Sequence, residues 1–197
     1  HTIISNTSLL RLKDYFGFEP SEDMTRRFIV ISFFPVFEGT GYFQETLRNF
    51  PKNARYAATS EEICRVMRSL GVPQVTCVPF TADLEVFPKK HKVSGPIQRL
   101  GIIGGPSRTN HPEYQKNKGL EMFAKICELG GYTPVYIHGR DGDDIYNDID
   151  ALICCSIHEG APTGIFEAGS LGIPVLTRPV GCAQDVKGIA IFDTIEE

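Results

Sequence analysis

A chain of 197 residues, 42% hydrophobic and 22% charged, carries apolar material for one large or two small globular domains and too much of it for a disordered polymer. Its formal net charge of −4 offers no basic field for wrapping nucleic acid, so an anionic ligand must be held by a local site. The longest apolar run, from Phe28 to Phe37, is broken by Ser32 and Pro35 and is far short of the roughly 20 residues that cross a bilayer, so neither a transmembrane segment nor a signal peptide is expected and only peripheral membrane association stays open.

Apolar, β-rich runs alternate with helical patterns along most of the chain, the signature of βαβ units and parallel sheets. Phe28 to Phe34 (FIVISFF) reads as a buried strand, with a short helical pattern around Tyr42 to Phe50 and a second strand at Ala54 to Ala58. Thr59 and Ser60 offer cap hydroxyls, and Glu62, three residues after Thr59, would complete a capping box. Ile63, Val66, Met67 and Leu70 follow at helical spacing, with Gly71 as the stop. Gln74 to Pro79 is the next strand, and the lysine- and proline-rich stretch from Thr81 to Pro96 reads as a connection.

The pattern then restarts. Arg99 to Ile103 is a strand ending in Gly104-Gly105-Pro106, and Leu120, Phe123, Ala124 and Cys127 mark a helix face closed by Gly130-Gly131. Strands are expected at Pro134 to Ile137, Asp150 to Cys155 and Ile173 to Thr177. The break divides the chain into a partial N-terminal unit, 1–85, a linker, 86–98, and a second unit, 99–197. The expected fold is therefore α/β, two Rossmann-like units with parallel sheets.

The six cysteines lack CxxC spacing and mostly lie in apolar segments, so they read as reduced core residues of a cytoplasmic protein, with no metal site. GIIGGPS lacks the glycine spacing of a dinucleotide fingerprint. The acidic run Asp141 to Asp150 lacks the glutamate and the glycine of a calcium loop and reads as a solvated connection. His138 and His158 close strands, where a packed structural role is at least as common as a catalytic one.

Most chemistry is concentrated in HEGAPTGIFEAGSLGIPVL, where Glu159 and Glu167 stand eight positions apart. Spacing alone carries little, since Glu113 and Glu121 repeat it. Position carries more: the pair follows a buried strand, spans a loop of small residues and enters the first turns of the next helix, where loops at the carboxyl ends of parallel strands line a ligand crevice. Gly160 and Gly164 permit close backbone approach, Thr163 could cap the helix, and the helix start would present N–H groups to an anion. A glutamate on that face would repel a phosphate but suits a neighbouring diol. Phosphate beside diol describes a nucleotide. The plain alternative is a glutamate favouring a helix dipole and a solvated loop residue.

EGAPTGIFEAGSLGIPVL resembles the glutamate-x7-glutamate motif of retaining, nucleotide-sugar-dependent glycosyltransferases of the GT-B fold, the group that includes glycogen and sucrose-phosphate synthases. TSEEICRVMRSLGV with VPFTADLEVF, then LGIIGG, then NKGLEMFAKI, resemble further segments of that family in its order. The resemblance spans about residues 55 to 192. It implies that Glu167 holds the ribose hydroxyls, that Lys118 neutralises the donor diphosphate, and that Glu159 faces the transferred sugar as the catalytic residue. Ala161, Pro162, Thr163 and Gly164 would contact sugar or phosphate through their backbone, with Gly104 and Gly105 at the end of the first strand of that domain. Arg108 would reach the phosphates, although it precedes Lys118 by ten positions where the family places its arginine closer. The implied function is retaining hexosyl transfer from a nucleotide diphosphate sugar to a glycan, lipid or other acceptor, with no metal or other cofactor. With about 85 residues before the linker and no glycine-rich first loop, the chain reads as a fragment or a reduced relative, for which a catalytically silent sugar-nucleotide-binding module is the alternative. A nucleotide-sugar epimerase fits less well, because its acid and base would come from both domains.

Overall fold

The computed structural model describes residues 2–5, 28–32, 55–69, 71–72, 74–79, 81–89, 95–105, 112–138 and 143–195. The helical pattern around 42–50 and Arg108 lie outside them. The architecture is mixed α/β with two parallel sheets, in two compact units, 1–79 and 80–197. Among the described residues no helix is long and apolar enough to cross a membrane.

In the first unit, β1 (Thr2–Ser5), β2 (Phe28–Ser32), β3 (Arg55–Ala58) and β4 (Val75–Cys77) form a parallel sheet in sequence order. β1 was not expected, because TIIS offers only two apolar residues and no alternation beyond them. Helix α1 (Glu61–Ser69) lies between β3 and β4 and buries Ile63, Cys64 and Met67. Its cap is Ser60, whose Oγ accepts from the Ile63 N–H at 3.2 Å. The box expected from Thr59 does not form, since the Thr59 hydroxyl is buried without a hydrogen bond. Ser60 is the residue immediately before the first helical turn, and only from there does a side chain reach the third N–H.

The second unit runs β5 (Arg99–Ile103), α2 (Pro112–Lys118), α3 (Leu120–Gly130), β6 (Thr133–Ile137), a 3-10 turn (Asp143–Tyr146), β7 (Ala151–Cys154), α4 (Thr163–Leu171), β8 (Val175–Thr177), a second 3-10 turn (Gly181–Asp185) and β9 (Ala190–Ile191). The five strands are parallel in the order β6-β5-β7-β8-β9. Both faces are covered, as near-continuous apolar strands require. Leu100, Ile102, Ala151 and Ile153 meet Leu120, Phe123 and Cys127 of α3 on one face. Leu152 and Val175 meet Ile165, Ala168 and Leu171 of α4 on the other, together with Tyr146 and Ile149. Ala124, expected on the buried face of α3, is exposed, and Ile126 packs in its place.

Two segments depart from the sequence reading in ways that matter for the site. The residues before Lys118, which show no apolar periodicity, form α2, a short helix with no buried residue. The acidic connection is not fully solvated: Tyr146 and Ile149 enter the core, and the ring of Phe87 meets Tyr146 edge to face at 6.3 Å. Phe87, within the stretch read as a linker, therefore packs on the second unit.

Candidate functional site

The strand order places β6 on one side of β5 and β7 on the other, so the connections leaving β5 and β7 diverge and open a crevice at their carboxyl ends. A cleft of about 120 Å³ lies there. Ile102, Ile103, Leu152 and Ile153 form its apolar part, and Lys118, Ser156, Glu159 and the run from Ala161 to Gly164 complete it. Six of the residues singled out in the sequence thus converge on one cavity.

Lys118 arrives there through the turn that follows it. Gly119 adopts φ +65°, in the left-handed region, and a Cβ at this position would stand 2.1 Å from the Cys155 carbonyl oxygen. Only glycine lets the junction of α2 and α3 press onto the end of β7. Two hydrogen bonds hold the seam: the Ile157 N–H donates to the Asn117 carbonyl at 2.8 Å, and the Asn117 side-chain amide donates to the His158 carbonyl at 3.2 Å. Lys118 Nζ consequently lies 2.5 Å from Glu159 Oε1. The Ser156 hydroxyl donates to the same oxygen at 2.9 Å. Both charged side chains are mostly covered, at 23% and 19% exposure, so solvent screens the pair only in part.

The Glu159 loop is fixed from its other side as well. Gly181 has φ +52°, and a Cβ on it would approach the Glu159 and Gly160 carbonyl oxygens to 2.4 and 2.3 Å. The Cys182 N–H donates to the Gly160 carbonyl at 3.1 Å. Beneath Gly119, burial pushes the Cys155 thiol up to about 12, which leaves it a packing group and not a nucleophile.

Helix α4 begins differently from the expectation. Pro162 occupies the cap position and no side chain caps the helix; Thr163 is its first residue and is exposed. The Ile165 N–H turns back to the Pro162 carbonyl at 3.0 Å, and the earlier N–H groups of the helix begin at the cleft. Gly164 packs closely on β5: a Cβ there would stand 1.8 Å from Ile103 Cδ1, so a larger residue would require the end of the Ile103 side chain to move.

Glu167 projects from α4 and accepts a hydrogen bond at Oε2 from the hydroxyl of Tyr146. It does not line the 120 Å³ cleft itself. Burial holds the Tyr146 phenol far above its ordinary range, and the Glu167 carboxylate beside it pushes the same way, so the phenol remains a donor. Gly104 and Gly105 also lie outside the lining of the cleft. A Cβ on Gly104, at φ +102°, would meet the Tyr114 hydroxyl at 2.7 Å, and one on Gly105 the His138 ring at 2.6 Å. Protein side chains therefore occupy the space those glycines leave. His158 is exposed. Among the described residues no group of three or more histidine, cysteine, aspartate or glutamate side chains gathers to hold a metal. Ser156 and Tyr146 had not been singled out in the sequence, the first because a lone serine carries no pattern, the second because it lies in an acidic run.

Solved structures share this architecture. The apo form of the lipopolysaccharide outer core galactosyltransferase WaaB matches with a TM-score of 0.55 at 15% identity, over 98% of this chain and 63% of that one. Sucrose-phosphate synthase from Thermosynechococcus elongatus matches with a TM-score of 0.58 at 13% identity, over 93% of this chain and 57% of that one. The fold is that of the GT-B glycosyltransferases. No family model and no curated protein sequence matches the chain. The chain spans less than two thirds of the length of either GT-B neighbour. At such identities the likeness settles the fold, and the chemistry has to be argued from the residues.

Proposed function

We propose that the second unit binds a nucleotide diphosphate sugar and that the protein serves retaining hexosyl transfer from it to a glycan, lipid or other acceptor. The observation that carries this reading is the meeting of Lys118, Glu159 and the uncapped start of α4 in one cleft at the switch point of the sheet. Lys118 would take the diphosphate, whose negative charge grows as the glycosidic bond breaks, so a fixed cation stabilises the transition state more than the bound donor. The N–H groups of Thr163 and Gly164, the first two of α4, would add to that stabilisation. Glu159, with Oε1 engaged by Lys118 and Ser156, would turn Oε2 toward the hydroxyls of the transferred sugar. Glu167 would accept from the ribose diol.

Retention in this scheme follows from departure and attack on one face. The leaving phosphate oxygen takes the proton of the acceptor hydroxyl while that hydroxyl oxygen bonds to the anomeric carbon. No metal or cofactor enters it, and Arg108 is a further candidate phosphate ligand outside the described residues. A second reading is a binding module without transfer. Incubation with UDP-, GDP- and ADP-sugars labelled in the hexose separates the two. Release of nucleoside diphosphate with transfer of label supports the enzyme; saturable donor binding with no release over days supports the module.

A further inference from the structure

We propose that Tyr146 is a positioning residue that locks the carboxylate of Glu167 and thereby makes the site select ribonucleotides over 2′-deoxyribonucleotides. The inference rests on the reading of Glu167 as the acceptor for the ribose diol. A glutamate on a helix surface has three side-chain torsions and no fixed carboxylate plane. Two vicinal hydroxyls can donate to it together only if that plane is held. Tyr146 supplies the holding group.

The phenol is itself immobilised before it touches Glu167. Tyr146 ends the 3-10 turn between β6 and β7, is fully buried, and packs among Ile137, Ile149 and Ile165. Phe87 meets its ring edge to face at an interplanar angle of 76°. Its hydroxyl then donates to one lone pair of Glu167 Oε2, leaving Oε1 and the second lone pair of Oε2 for the two hydroxyls. Gly164 keeps that lane open, because a Cβ there would come within 3.3 Å of the Tyr146 oxygen as well as striking Ile103. A phenol is protonated throughout the neutral range, and burial extends that range upward, so the donation persists. If Glu167 merely satisfied a buried phenol, its removal would affect folding and leave sugar selectivity alone.

Calorimetric titration of the full chain with UDP, GDP and ADP, each against its 2′-deoxy counterpart, tests this directly. The unsubstituted chain is expected to prefer the ribose form of its nucleotide by about tenfold, a hydrogen bond to a charged group. Tyr146→Phe should lose most of that preference by weakening the ribose form alone, and adding Glu167→Gln to it should cost little more. 3-Fluorotyrosine at position 146, which keeps the hydroxyl, should restore the preference and serves as the folding control. A ribose preference retained in Tyr146→Phe, or equal weakening of both forms, overturns the inference while the ribose reading stands. No preference in the unsubstituted chain overturns the ribose reading and the inference with it.

Discussion

Glu159 and Glu167 flank the start of the same helix, and the protein holds them by opposite means. Glu159 receives an ammonium and a hydroxyl on one oxygen, in a partly covered pair 41 residues apart in sequence. Glu167 receives a neutral phenol that is sealed in the core. An ionic partner can be exchanged when another anion arrives, since Lys118 can turn from a carboxylate to a phosphate with little net electrostatic loss. A buried neutral donor cannot leave. On the proposed reading, Glu159 would belong to an adaptable part of the donor site and Glu167 to a fixed one.

The strongest way to break the comparison is to unseat the adaptable side alone. Gly119→Ala would force a Cβ against the Cys155 carbonyl and strain a left-handed backbone, at a cost of roughly 3 kcal/mol. A drop in the urea midpoint together with loss of the Lys118–Glu159 contact by NMR is expected. An unchanged midpoint would mean that the junction of α2 and α3 is not seated as described.

Substituting each glutamate in turn sharpens the contrast. Glu167→Gln should weaken nucleoside diphosphate binding by roughly 1.5 to 3 kcal/mol, because it removes a charge-assisted acceptor. Glu159→Gln removes the anion that competes for Lys118, so affinity for the bare nucleoside diphosphate should hold or rise while affinity for the nucleotide sugar falls. Equal losses in the two variants would erase the distinction between a fixed and an exchangeable carboxylate.

The smallest effect concerns a third carboxylate, committed to structure at the opposite ends of the strands. Asp150 receives the Arg99 guanidinium at 3.0 Å and the N–H groups of Arg99 and Gln98, and these hold its carboxyl at about 2, below its usual range. Its contribution is therefore complete above the ordinary carboxylate value of about 3.9 and is lost as the pH falls toward about 2. Thermal melts between these limits should show a shallower acid decline in Asp150→Asn than in the unsubstituted chain. Parallel declines would remove Asp150 from the acid response.

Much of the second unit was legible because its strands are buried on both faces and write themselves as apolar runs: RLGII and DALICC were placed within a residue of β5 and β7. The short, weakly patterned elements were not legible. α2 buries nothing, so no periodicity marks it, and Tyr146 is one aromatic among acidic residues whose burial depends on α4 and Phe87 closing over it. Six residues of the cleft were named, Ser156 was not, and neither were the contacts among them. That Lys118 reaches Glu159 depends on a left-handed glycine and a seam of long-range hydrogen bonds, which no local pattern encodes. The cap of α4 also differs from the expectation: Thr163 carries the favoured side chain, but the helix starts one residue earlier, with Pro162 at the cap position and no side-chain cap.

The central claim is that Lys118 and Glu167 serve one nucleotide. Calorimetric titration of the chain with UDP, GDP and ADP, repeated with Lys118→Ala and Glu167→Gln, tests it most directly. Binding of one nucleotide, weakened by about tenfold or more in each folded variant, is the expected result. Undiminished affinity in either variant would contradict it and remove that residue from the site.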